Sequence, residues 1–156
     1  FVSLLGYMKR EETIDYHIRS AWHAIARMYN QQAAKHNATM AIGFVLLNID
    51  VEEGTPATKI APLMGLEPRS LTRLLKSLEE QGAIYREVDK IDKRSVRIFL
   101  TEEGKKGRER AKETVLQFNE AVRNEIPEEK LNVFFEVIQK INKIIERNNI
   151  YETVNN

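Results

Sequence analysis

Apolar residues recur along this chain with two periods, and the changes of period divide it into elements. Ile14, Ile18, Ala21, Trp22, Ile25 and Tyr29 are spaced by steps that track a helical turn, which predicts a long helix over residues 10–35. His36 and Asn37 follow, and the Asn is expected to cap the next element. Residues 39–51 (TMAIGFVLLNIDV) are apolar nearly all round, the pattern of a buried central helix. Glu52-Glu53-Gly54-Thr55-Pro56 then breaks the chain.

A short helix is expected over 57–64, turning Ile60, Ala61, Leu63 and Met64 inward and ending at Gly65. Pro68 suits the first turn of another helix, where Leu71, Leu74, Leu75 and Leu78 form a stripe that runs to Gly82. Two helices about a tight Gly-containing turn outline a helix-turn-helix. After Gly82 the period falls to two. Ile84, Arg86 and Val88 alternate with Tyr85 and Glu87, then Val96, Ile98 and Leu100 with Arg97 and Phe99, which predicts a two-stranded hairpin with its loop at 89–95.

Thr101 should cap the next helix, with Glu102 and Glu103 in its first turn and Ala111, Val115, Phe118 and Val122 on its buried face. Ile126-Pro127 interrupts, and a last helix is expected over 128–148. Its apolar residues cover more than one face, so it needs a partner surface, most simply a second copy of the chain. The tail YETVNN should fray. The fold class expected is therefore mainly α with a small β-hairpin wing, a winged helix-turn-helix flanked by long dimerisation helices. The parts are 1–38, an N-terminal dimerisation helix, 39–101, a winged lobe, and 102–156, C-terminal dimerisation helices, one domain in all.

Composition alters this picture at a few points. The net charge of +1 over 156 residues argues neither for nor against nucleic acid, but nine Lys or Arg face six Asp or Glu between Thr55 and Thr101, a net of +3. No cysteine is present, which removes disulfides, thiolate metal sites and thiol-based redox sensing. The opening FVSLLGYM is too short for a signal core, and no apolar run approaches a membrane span, so a soluble, cytoplasmic chain is expected. A start at Phe1 rather than Met suggests that a few residues precede it.

Helix-turn-helix followed at once by a hairpin points to double-stranded DNA. Arg69, Ser70, Thr72, Arg73, Lys76 and Ser77 fall outside the leucine stripe. Arg69, Ser70 and Arg73 are expected to reach bases, Lys76 and Lys59 the phosphates. Lys90, Lys93 and Arg94 lie at the hairpin tip, where a wing meets the minor groove. Each cationic group alone would equally be a solvated face, and it is their order along the chain that favours DNA.

The run Asp92-Lys93-Arg94, followed by Val96-Arg97-Ile98-Phe99-Leu100-Thr101-Glu102-Glu103-Gly104, resembles the D-x-R…LTxxG wing signature of MarR-type transcriptional regulators. Leu71 to Arg86 resembles their recognition helix and first wing strand. The resemblance implies a homodimer holding two recognition helices and two wings over a palindromic operator, with half-sites roughly 10 bp apart. It also implies that Arg94 enters the minor groove and that Asp92 holds basic side chains by ion pairing. Ile91 departs from the family's usually polar wing tip.

The resemblance further implies a small aromatic or anionic effector, for which Trp22, Tyr29 and Phe44 could line a pocket; core packing would place the same aromatics there. His17 and His23 are six apart, on different sides of a helix, so no metal site is expected, and His36 adds none. No cofactor is implied. An enzyme finds no support, since there is no phosphate loop, nucleophile elbow or HExxH. The remaining alternative, a winged helix used only for protein contact, would have no need of Arg69, Arg73 and Lys76 beside a basic wing.

Overall fold

The computed structural model of the chain describes residue 6 and residues 8–152. The expectations for residues 1–5, Tyr7 and the tail at 153–156 lie outside the described residues. A 3-10 turn, Arg10–Glu12, leads into α1, Ile14–Ala34. That helix ends where Asn37 takes φ 54° and the Ala38 N–H bonds back to the Ala33 carbonyl at 3.0 Å. Asn37 thus closes α1 in the left-handed cap position instead of opening the next helix. Thr39 opens it, accepting from the Ile42 N–H at 3.3 Å.

Helix α2, Met40–Leu47, is shorter than its apolar run because the chain turns at Asn48, yet Val45, Leu46 and Ile49 are all buried. A two-residue strand β1, Thr55–Pro56, leads directly into α3, Ala57–Met64. Leu63 corrects the expectation: it is 64% exposed, because a two-turn helix covers only the face of Ala57, Ile60, Ala61 and Met64. Helix α4, Pro68–Glu80, starts on its proline and buries Leu71, Leu75 and Leu78.

Strands β2, Ile84–Val88, and β3, Val96–Leu100, pair antiparallel from Ile84↔Leu100 to Val88↔Val96. On the other edge of β3 lies β1, paired Thr55↔Ile98. The sheet therefore has three strands in the order β1-β3-β2, one more than the hairpin expected. Ile84, Ile98 and Leu100 join Val45, Ile49, Ile60 and the α4 leucines in one core.

Helix α5, Glu102–Glu125, follows Thr101, whose hydroxyl accepts from the Gly104 N–H at 3.1 Å and donates to the Gly82 carbonyl at 2.6 Å. Gly104 belongs here because a Cβ would lie 2.0 Å from the Ala83 carbonyl oxygen. That oxygen accepts the Thr101 N–H at 3.0 Å, so it cannot retreat without breaking the junction between sheet and helix. Helix α6, Glu128–Glu146, is the last of these elements.

The chain divides after Thr114 into two compact units. In the first, the N-terminal part of α1 leaves Ile14, Ile18 and Trp22 exposed, while Tyr29 further along is buried. In the second, Leu131 of α6 is buried, whereas Val133, Phe134, Phe135, Val137, Ile144 and Ile145 are exposed. No helix among the described residues is long and apolar enough to cross a membrane.

Candidate nucleic-acid interface

Helix α4 separates its chemistry by face. Leu71, Leu75 and Leu78 are buried and Leu74 partly so, and Arg69, Ser70, Thr72, Arg73 and Lys76 are exposed on the side away from the core. Lys59 on α3 is exposed too. Arg69, Arg73, Lys76 and Lys59 form no ion pair among the described residues, whereas Arg86 on β2 is held by Glu79 at 2.8 Å. Long cations without an internal partner keep their full donor capacity for an incoming anion. Thr72 differs, since its hydroxyl donates to the Pro68 carbonyl at 2.9 Å and so offers an approaching group only its lone pairs.

The wing tip is built around Asp89. Its side chain is buried; Oδ1 accepts from the backbone N–H groups of Ile91 at 2.8 Å and Asp92 at 3.1 Å, and Oδ2 accepts from Arg97 Nε at 3.0 Å. Those two backbone N–H groups, with the Arg97 guanidinium, hold the carboxyl below the usual Asp range. Arg97 Nη1 also donates to the carbonyls of Glu53 at 3.2 Å and Gly54 at 3.3 Å, which ties the wing to the turn before β1. Gly54 has φ 66°, and a Cβ there would lie 2.6 Å from the Ile98 carbonyl oxygen, so the turn lies flush against β3.

The same turn is fixed from its other side by Asp50. Its Oδ1 accepts from the Glu53 N–H at 2.7 Å and the Glu52 N–H at 2.9 Å, bonds that lower its pKa. Asp50, the turn, Arg97 and Asp89 make a continuous polar brace from the end of α2 to the wing. Sequence reasoning missed this brace. In the sequence Arg97 is only a polar residue alternating with the apolar positions of a strand, and it is the folded strand that turns its guanidinium toward Asp89.

Asp92 also departs from the expectation. It makes no ion pair among the described residues; its Oδ1 accepts the Arg94 N–H at 3.0 Å and its carbonyl oxygen accepts from both the N–H and the hydroxyl of Ser95. Both aspartates therefore organise the backbone of the wing tip, and the basic side chain that Asp89 holds is Arg97 rather than Lys90, Lys93 or Arg94. Lys90, Lys93 and Arg94 stand exposed beside the two aspartates and form no ion pair among the described residues.

This arrangement has known counterparts. Residues 39–96 match the model of the MarR family. The chain is 30% identical over 105 residues to the organic hydroperoxide resistance transcriptional regulator of Bacillus subtilis, covering 67% of this chain and 71% of that protein. The chain belongs to the MarR family. It is 39% identical over 88 residues to the HTH-type transcriptional regulator TtmR of Methylorubrum extorquens, covering 56% of this chain but only 45% of TtmR. CouR from Rhodococcus jostii RHA1, solved bound to p-coumaroyl-CoA, aligns with a TM-score of 0.73 at 25% identity over 85% of this chain and 93% of CouR.

The aromatic residues expected to receive an effector are divided by this MarR fold. Tyr29 and Phe44 meet edge to face with ring centroids 6.0 Å apart, and burial pushes the Tyr29 phenol pKa up. Trp22, two turns before Tyr29 on α1, stays 49% exposed. Among the described residues no group of three or more His, Cys, Asp or Glu is placed to hold a metal ion. His17 Nε2 lies 2.5 Å from the Glu11 carbonyl oxygen, to which it donates as the N–H tautomer.

Proposed function

We propose that this protein is a homodimeric, DNA-binding transcriptional regulator of the cytoplasm, acting as a repressor by occupying a palindromic operator. One observation carries the reading: two separate elements, the outer face of α4 and the wing, both present exposed cations that form no ion pair among the described residues. Arg69, Ser70 and Arg73 address base edges in the major groove, and Lys76 and Lys59 the phosphates on either side. Lys90, Lys93 and Arg94 address the neighbouring minor groove, on a loop that Asp92 shapes from within. A winged helix serving protein contact alone would leave these cations unexplained.

In this reading residues 1–38 and 102–156 join two copies, and 39–101 form the lobe that meets DNA. The likeness to CouR supports a small aromatic or anionic effector, received near Trp22, Tyr29 and Phe44, that alters the spacing of the two recognition helices. With no thiol in these 156 residues, the signal does not act by oxidising a cysteine of this segment.

The test begins with duplexes enriched from a random pool by the wild-type chain, titrated at several salt concentrations. Each phosphate contact removed by substitution should reduce the salt slope by about 1. Arg73→Ala should weaken binding by about 10-fold or more and relax the choice of base at one position in each half-site. Unchanged affinity and unchanged sequence preference in Arg73→Ala and Arg94→Ala would sink the assigned contacts.

A further inference from the structure

Ile91 is 95% exposed at the tip of the wing, more than any other large apolar side chain among the described residues. A solvated turn has no use for an isoleucine there. Nor is the turn loose. The Ile91 N–H donates to Asp89 Oδ1 at 2.8 Å, the Asp92 N–H to the same oxygen at 3.1 Å, and the Asp89 N–H to the Ser95 carbonyl at 3.0 Å. Arg97 locks Asp89 from behind. The side chain is thus presented by a preorganised loop, with the exposed Lys90, Lys93 and Arg94 on either side of it.

An apolar group flanked by exposed cations that form no ion pair among the described residues complements a surface that is anionic at its edges and less polar within. The minor groove of duplex DNA is such a surface: phosphates line its rims, and sugars and base edges form its walls and floor. A protein partner would call for a broader apolar centre than Ile91 with the exposed Val88 and Val96 pair behind it. We infer that Ile91 is an apolar wedge that enters the minor groove beside each half-site and partly unstacks a base step there. This rests on the DNA-binding reading above and adds a specificity to it. The guanine amino group projects into the groove floor and needs an acceptor, which isoleucine cannot supply, and pyrimidine–purine steps such as TA unstack most easily. The wedge therefore selects A·T-rich flanks.

The experiment uses the full chain and duplexes enriched by the wild type, synthesised with either TA or GC steps at the wing-contacted flanks, and a third set carrying 2-aminopurine at that step. Ile91→Ala and Ile91→Ser should fold as the wild type does, since the side chain touches no core; unchanged unfolding midpoints establish this. Ile91→Ala should bind the TA-flanked duplex on the order of ten-fold more weakly with an unchanged salt slope. It should bind the GC-flanked duplex as the wild type does, and lose the rise in 2-aminopurine fluorescence. Ile91→Ala binding within about two-fold of wild type on both duplexes, with the same flank preference, overturns the wedge and leaves protein contact as the use of Ile91; two-fold is well under the loss expected from exposing a buried isoleucine. A loss accompanied by a lower salt slope overturns it as well, because the effect would then run through the cations. Should the wild type enrich no sequence at all, the DNA reading falls and the wedge with it; sensitivity to Arg73→Ala without sensitivity to Ile91→Ala removes the wedge alone.

Discussion

One methyl group at Gly104 would put a carbon 2.0 Å from the Ala83 carbonyl oxygen, which is already engaged by the Thr101 N–H. Gly104→Ala should therefore destabilise the chain by about 3 kcal/mol, read from the urea midpoint. Gly82→Ala, at φ 73° but with nothing near the new Cβ, should lose only about 1–2 kcal/mol. Asp89 supports a different kind of prediction. Its folded pKa is lowered, so its contribution is fully present above the ordinary Asp value of about 3.9 and is lost as pH falls through the lowered value. Asp89→Asn can keep its side-chain oxygen for the Ile91 and Asp92 N–H groups only by turning its NH2, a donor, toward Arg97. Thermal unfolding should find the variant less stable at neutral pH, with the gap to wild type closing as acid protonates Asp89. A gap independent of pH would mean that the carboxylate charge has no part in the brace. Asp50, lowered likewise, is common to both chains and cancels in the difference.

At the scale of elements, the smallest one has the least expected role. Strand β1 holds Thr55, whose hydroxyl accepts the Asp50 N–H at 2.9 Å and lies 3.4 Å from the Asn48 carbonyl. Thr55→Val should cost about 1–2 kcal/mol in urea unfolding even though valine favours strands more, because a partly buried N–H loses its acceptor. The long helices were legible because their apolar positions repeat over several turns, and the wing strands because theirs alternate. Two residues, Thr55 and Pro56, carry no period, and β1 exists only through its pairing with β3. Within the candidate interface the cations of α4 could be found from their place outside the leucine stripe. The Asp89–Arg97 brace could not, because it depends on which way Arg97 faces once β3 is in register and on the distant turn at Glu53 and Gly54. Leu63 misled for a related reason: composition marks a residue as apolar but does not say how much of a two-turn helix its neighbours can cover.

For the whole molecule, the exposed apolar side chains of α6 are the strongest constraint. Six of them, with Phe134 at 55% and Ile145 at 58%, face solvent in a single copy. Each fully buried would contribute roughly 1.5–3 kcal/mol, and a symmetric pair buries every one twice. Against this stands an association cost of about 4–15 kcal/mol, so a dimer at micromolar concentration is expected. The chain's net charge of +1 offers little repulsion between copies. Phe134→Glu and Ile145→Glu, at exposed positions, should preserve helix content by circular dichroism while sedimentation shifts from dimer to monomer at micromolar protein. DNA binding should fall with it. In a dimer the second recognition helix meets its half-site at an effective concentration set by the linkage, an advantage of about 10²–10⁴ that a monomer forfeits. The two losses are separable, because the monomeric variants should keep the wild-type choice of base in each half-site, whereas Arg73→Ala, still a dimer by sedimentation, should relax it. If Phe134→Glu remained a dimer by sedimentation, the α6 face would not be the joint between copies; if it became a monomer and still bound a full operator as tightly as wild type, each lobe would be reading its half-site alone and operator symmetry would have no energetic role.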